Sequence, residues 1–296
     1  MRVFKLLFSV SLIAGCVPVL MEAMELQPGT VKAWEQYIRG ARSRNQTRAD
    51  AGRTFLWIDE SPERRAHVQR GEIVVAPLVG RGTQNVQGGL IHDWIGAVFI
   101  PNATTEGLYQ VLHDYDRYKD IYRPVVADSK TLACTDEDQE FAMVWHRRVL
   151  FVNAAMEGHY RAHDIAIDDW RGFNVADATT LQEIDDYGHA NQRLLPPDTG
   201  RGFIWRLHSM ARYEKTGGGI YLELEVIALT RDIPASLAWL INPVVNHLSM
   251  NSLTTTLRQT RQAVVRLSGS PEQAASCLPR AHQPQCRTLN RTACLR

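Results

Sequence analysis

The chain of 296 residues has almost no excess of either charge, with 33 Lys and Arg against 32 Asp and Glu. So balanced a chain has no field with which to gather nucleic acid or an anionic membrane surface, and nucleic acid is excluded as a partner. Internal repeats, low-complexity segments and sustained heptads are missing, which excludes fibrous, coiled-coil and wholly disordered classes. No apolar run reaches about 18 residues, so no permanent transmembrane helix is expected. Also absent are Gly-x-Ser-x-Gly, His-Glu-x-x-His, a P-loop and a dinucleotide fingerprint. Nothing in these patterns implies a cofactor or a metal. Cysteine is scarce, at five residues.

What is present begins with the N-terminus. Met1 to Lys5 is short and basic, Leu6 to Ile13 is apolar, and Pro18 and Glu22 close the segment. A charged start followed by a short apolar stretch is the pattern of a secretory signal. Ile13-Ala14-Gly15-Cys16 ends that stretch. It resembles the lipobox of bacterial lipoproteins, in which a small residue precedes a Cys that is acylated and becomes the mature N-terminus. The resemblance implies residues 1–15 as a removed signal, Cys16 as the lipidation site, and anchorage to a membrane in the bacterial periplasm. Each buried methylene of such a chain contributes about 0.8 kcal/mol. The alternative is a simple signal cut after Ala23, with Cys16 discarded. Cys134, Cys277, Cys286 and Cys294 are then left, an even number that permits three pairings. Residues 268–296 form a polar tail with no core of its own, and disulfides would tie it down in an oxidising compartment. The tail spacings do not match the usual zinc pairs.

Residues 25–70 read as an N-terminal helical extension. Val31, Trp34, Tyr37 and Ile38 share one helical face, with Thr30 placed to cap it. From Gly71 the texture turns to β. Strands are expected over 72–79 and 89–100, a helix over 104–118, then extended segments over 123–132, 140–150, 153–167 and 173–184. Two further strands alternate strictly: Phe203, Trp205, Leu207, Ser209, Ala211 and Tyr213 share one face of the first, and Leu222, Leu224, Val226 and Ala228 one face of the second. Such alternation marks an antiparallel sheet with one buried face. Thr216 to Gly219 joins the two as a tight hairpin, a better reading of Lys215-Thr216-Gly217 than a fragment of a serine-enzyme motif. Residues 235–267 form one long helix, with a kink or break expected at Pro243.

Two strands, a helix, about six antiparallel strands and a long terminal helix make an α+β chain in which a curved sheet wraps a helix. Trp94-Ile95-Gly96, Phe99-Ile100-Pro101, Tyr115-Asp116-Arg117-Tyr118, Ile121 to Val125, Gly202 to Leu207 and the helix after Ile233-Pro234 carry a resemblance over residues 71–267. That stretch resembles the helix-grip proteins of the START and Bet v 1 type, the polyketide cyclase and coenzyme-Q-binding-like superfamily. The resemblance implies a cavity between sheet and helix that holds a lipid, quinone or polyketide-like molecule. Trp94, Val98, Phe203, Trp205, Leu207, Tyr213, Leu222, Leu224, Val226, Leu240, Val244 and Leu248 would line it. Each of these would equally serve as plain core.

Three neighbouring pairs set an imidazole beside a carboxylate: His92-Asp93, His113-Asp114 and His163-Asp164. Adjacent residues on a strand or helix diverge, so none is expected to act as a catalytic pair. Arg206 or Arg212 is expected to pair across strands with Glu223 or Glu225 on a solvated convex face. The sharper alternative places one Arg in the cavity to grip a ligand head group. Three functions stay open: an exported, anchored carrier of an apolar small molecule, a cyclase or hydrolase using the same cavity, and an envelope interaction protein whose groove is filled.

Overall fold

The computed structural model describes residues 23–50, 54–135, 138–149, 152–233 and 235–268. Cys16, Cys277, Cys286 and Cys294 lie outside them. So do the side chains of residues 235–243, Leu240 among them.

Helix α1 spans Pro28–Ala49. Pro28 begins it, since its missing N–H would lack a partner there anyway. Thr30 is not the cap. It sits inside the first turn and its hydroxyl donates to the Gln87 carbonyl, 2.7 Å away. A short turn at Trp57–Glu60 and helix α2, Pro62–Gln69, follow, with the Ser61 hydroxyl accepting from the Arg64 N–H. The strands are β1 (Val74–Pro77), β2 (Thr83–Val86) and β3 (Gly89–Pro101). Helix α3 (Thr105–Leu112) is capped by Thr104, whose Oγ1 accepts from Gly107 N. The expected helix over 104–118 stops early, because the chain turns at His113 to send Tyr115 inward against Phe141, with ring centroids 4.1 Å apart. Helix α4 is Tyr118–Ile121. Strands β4 (Val126–Cys134), β5 (Gln139–Val149), β6 (Val152–Ala166), β7 (Arg171–Asp185), β8 (Arg206–Thr216) and β9 (Gly219–Arg231) come next, and α5 (Ala235–Ser268) closes the chain.

The strands form one ten-stranded antiparallel sheet, with the two-residue Arg193–Leu194 as its tenth member. Its order is β1-β3-β9-β8-β7-β6-β5-β4, and β2 also pairs with β3. The thirteen-residue ladder from Gly89↔Arg231 to Pro101↔Gly219 joins β3 to β9. Strand β2 escaped the sequence reading because Thr83–Val86 is short and polar. Helix α5 runs unbroken through Pro243, so the expected break is absent. A proline removes one hydrogen bond, and this helix is held elsewhere along its length by packing. At about 1.5 Å per residue its 34 residues extend roughly 51 Å.

Both faces of the sheet are covered. The outer face carries α1, the turn at 57–60 and α2, and it buries Trp34, Ile38, Leu56, Trp57 and Ile58 against Ile91, Ile95, Ile227 and Leu229. The inner face carries α3, α4 and α5 over Val98, Ile100, Tyr213, Ile220 and Leu222.

Candidate functional site

Helix α5 is seated on the sheet along only part of its length. Leu253, Leu257 and Val264 are buried on the inner face. The seat exists because β3 offers Gly96 there: a Cβ would stand 2.7 Å from Leu257 Cδ1 and 3.0 Å from Val75 Cγ2. Among the described residues α5 packs chiefly against β1, β3, β9, α3 and α4, and Ser252 also accepts a hydrogen bond from Arg147 on β5. Toward its start the helix loosens, with Val244 40% exposed, Met250 37% exposed and Leu248 half-buried. The inner face of the sheet carries Leu224 and Val226 from β9, Leu207 from β8, Met143 and Trp145 from β5, and Phe203 and Ile204 from the loop before β8. All are apolar and only partly buried. One wall is pinned, since Asn246 Nδ2 donates to the Arg81 carbonyl at 2.8 Å. On the inner face Ser209 and Ala211 on β8 and Ala176 and Ala178 on β7 are small.

Trp94, Val98, Tyr213, Leu222, Leu224 and Val226 therefore share the inner face, with Phe203 and Leu207 in the adjoining cluster. Val98, Tyr213 and Leu222 lie in the seated half and are packed as core. Trp205 does not join them. It is buried on the outer face with Trp34, Ile91 and Ile227. Strand β8 starts only at Arg206, so period-two alternation does not reach Trp205. Gly202, at φ +73°, bends the chain and turns the indole the other way.

Two of the three neighbouring His-Asp pairs contribute one member each to a single contact. His113 Nε2 lies 3.0 Å from Asp164 Oδ2. Asn174 Nδ2 donates to Asp164 Oδ1 at 3.0 Å, and the Tyr115 hydroxyl donates to Gln139 Oε1 at 3.4 Å. The His113 ring is wholly buried and stacks on Tyr109, with centroids 5.1 Å apart. Tyr109 and Tyr213 meet hydroxyl to hydroxyl at 3.2 Å. Burial pushes the Tyr109 and Tyr115 phenols well above their ordinary range, so both remain hydrogen-bond donors. This cluster fastens α3 to the sheet. Sequence reasoning missed it because its members lie about 50 residues apart, and only strand pairing unites them.

The outer face is charged but not solvated, contrary to expectation. Arg212 is 1% exposed and bonds Glu223 Oε2 at 3.1 Å, Glu225 Oε2 and Asn45 Oδ1. Glu223 Oε1 also accepts from Ile58 N at 2.9 Å. Asp93 accepts from the Tyr37 hydroxyl at 2.6 Å and from Arg44 at 3.2 Å. His208 pairs with Asp177 at 2.8 Å, and Asp177 with Arg42 at 2.9 Å. Helix α1 supplies Tyr37, Arg42, Arg44 and Asn45 to this layer, and by covering it removes the water that would have screened it. Of the two arginines expected to pair with Glu223 or Glu225 it is Arg212 that does so, while Arg206 bonds Asp198 at 2.6 Å.

A separate groove of about 570 Å³ lies at the edge where α2 meets the end of α5, lined by Gln69, Arg70, Phe99, Pro101, Arg261 and Val265 among others. It is remote from the loosened start of α5.

No family model and no curated protein matches the chain. Solved structures do resemble it. A fragment of a STAR-related lipid transfer protein from Xanthomonas axonopodis aligns at 19% identity and TM-score 0.41, covering 62% of this chain and 99% of its own. The Zhui aromatase/cyclase from a Streptomyces species aligns at 10% identity and TM-score 0.40, covering 64% and 99%. A START superfamily protein from Mycobacterium smegmatis aligns at 10% and 0.36, covering 61% and 99%. At these scores the likeness is one of general outline.

Proposed function

We propose that the protein is an exported, lipid-anchored carrier that holds an apolar small molecule between the inner face of the sheet and the first half of α5. The supporting observation is the contrast along that helix. Leu253, Leu257 and Val264 are buried on the inner face, whereas among the described side chains from Val244 to Met250 none is buried, and Leu207, Leu224, Val226, Met143 and Trp145 on the same face of the sheet are only partly buried. Apolar surface left half-covered inside a fold gains about 25 cal/mol per Å² when a greasy guest covers it. The small residues of the inner face leave room for such a guest. Anchorage rests on Cys16 and the segment before it; among the described residues no helix is long and apolar enough to cross a bilayer. The carrier reading is preferred to the enzyme reading because the His113 ring is wholly buried and stacked on Tyr109, with Asp164 already its partner at 3.0 Å. Native mass spectrometry of protein purified from its own membranes tests the proposal. A reproducible apolar adduct supports carriage, and a clean unliganded mass over repeated preparations refutes it.

A further inference from the structure

Alternation along β5 carries Phe141, Met143 and Trp145 to the inner face. Arg147 is next in that series, and its Nη1 donates to Ser252 Oγ on α5. Its guanidinium is half-buried, and burial alone lowers it from its ordinary value, with no carboxylate to raise it. Among the described residues Arg147 makes no ion pair. Helix α5 contains no Asp or Glu in 34 residues, and neither does the stretch from Val144 to Asn153; the carboxylates that the strand register brings toward Arg147, Glu183 and Asp185, are bonded to the Arg201 and Phe203 N–H groups and to Arg193 and Arg201. The contrast with Arg212 is informative. That guanidinium, buried on the outer face for structural reasons, has two carboxylates. A partly desolvated cation without a counter-charge is costly unless something else supplies the anion.

We propose that the molecule held in the chamber is an amphiphilic anion. Its apolar body lies on Leu207, Val226, Phe203 and Trp145, and its carboxylate or phosphate oxygens accept from Arg147 and Ser252. One guanidinium edge serves Ser252, and the remaining N–H groups form the planar fork that suits such oxygens. The inference rests on the carrier reading and narrows it from apolar molecules at large to those bearing an acidic head.

The test uses the delipidated full chain and three probes of equal chain length, hexadecanoate, hexadecyl phosphate and hexadecanol, with inorganic phosphate alone as a fourth. Binding is read by displacement of an apolar fluorophore and by calorimetry. The expected result is that at least one anionic probe binds about tenfold or more tighter than the alcohol. The preference falls toward unity in Arg147→Met and survives in part in Arg147→Lys. Circular dichroism establishes that both variants fold, and Ser252→Ala gives a second, milder loss. Equal binding of acid and alcohol by the wild type, or a preference that persists in Arg147→Met, overturns the inference while leaving the carrier intact. Binding of inorganic phosphate as tight as the long-chain phosphate also overturns it. If none of the long-chain probes binds, the carrier reading falls with it. The carboxylate and phosphate arms tell a fatty-acid-like head from a phospholipid-like one.

Discussion

His92 and Asp93 are consecutive on β3, face opposite sides of the sheet and titrate in opposite senses. Burial lowers His92 from 6.5 to about 4, with Nε2 held 2.9 Å from Thr230 Oγ1. Asp93 is raised from 3.8 to about 6, first by burial and then by the charge of Glu225, against the opposing hydrogen bond from Tyr37. A base with a depressed folded-state value contributes stability above its unfolded value and loses it as pH falls toward 4. An acid with a raised folded-state value contributes stability at low pH and loses it as pH rises through 6. At 1.36 kcal/mol per unit, each group is worth on the order of 3 kcal/mol across that window. In the wild type the two nearly cancel, and each substitution unmasks the other. Relative to wild type, Asp93→Asn loses on the order of 3 kcal/mol between about pH 7 and pH 4, while His92→Gln gains a similar amount. Urea unfolding followed by tryptophan fluorescence across that range measures both slopes. Variant curves that run parallel to the wild type refute the reasoning, since they mean that neither group titrates differently in the folded state.

Other expectations follow from the same geometry. Arg212→Met strands Glu223 and Glu225 beneath α1 and lowers stability by about 3–5 kcal/mol in denaturant unfolding at neutral pH. That loss shrinks in acid, because burial already holds Glu223 above its ordinary value and its protonation relieves the stranded charge. Val226→Trp adds bulk to the inner face and abolishes uptake of an apolar fluorophore, at a cost of no more than about 1–3 kcal/mol in stability. Cys16→Ser shifts the protein from the membrane to the soluble periplasmic fraction, read by fractionation and immunoblotting; unchanged partition refutes the anchor.

Much of the architecture is legible in the residue pattern, because strict alternation and long helical periodicity report which face of each element is buried. The inner-face placement of Leu224 and Val226 is readable in this way, as is the outward placement of Glu223 and Glu225. What covers the outward face was not readable. Arg212, Glu223 and Glu225 look like ordinary wet-face charges until α1, about 165 residues away in sequence, lies over them and brings Asn45. Trp205 departs from the pattern because it lies one residue before the strand begins at Arg206, where alternation no longer sets the side-chain direction. His113 and Asp164 were hidden for a related reason. Each was judged against its neighbour in sequence, whereas the partner came from a strand. Arg147 is visible in the sequence only as one of several strand arginines, and that it makes no ion pair among the described residues emerges only from the folded arrangement.

The most direct test is photo-crosslinking with a long-chain fatty acid that carries a diazirine midway along its chain, followed by peptide mapping. Labelling on β5 near Trp145, on β8 near Leu207 and on α5 between Val244 and Ser252 is the predicted result. Labelling confined to the groove around Gln69 and Arg261, or to the outer face beneath α1, contradicts the account.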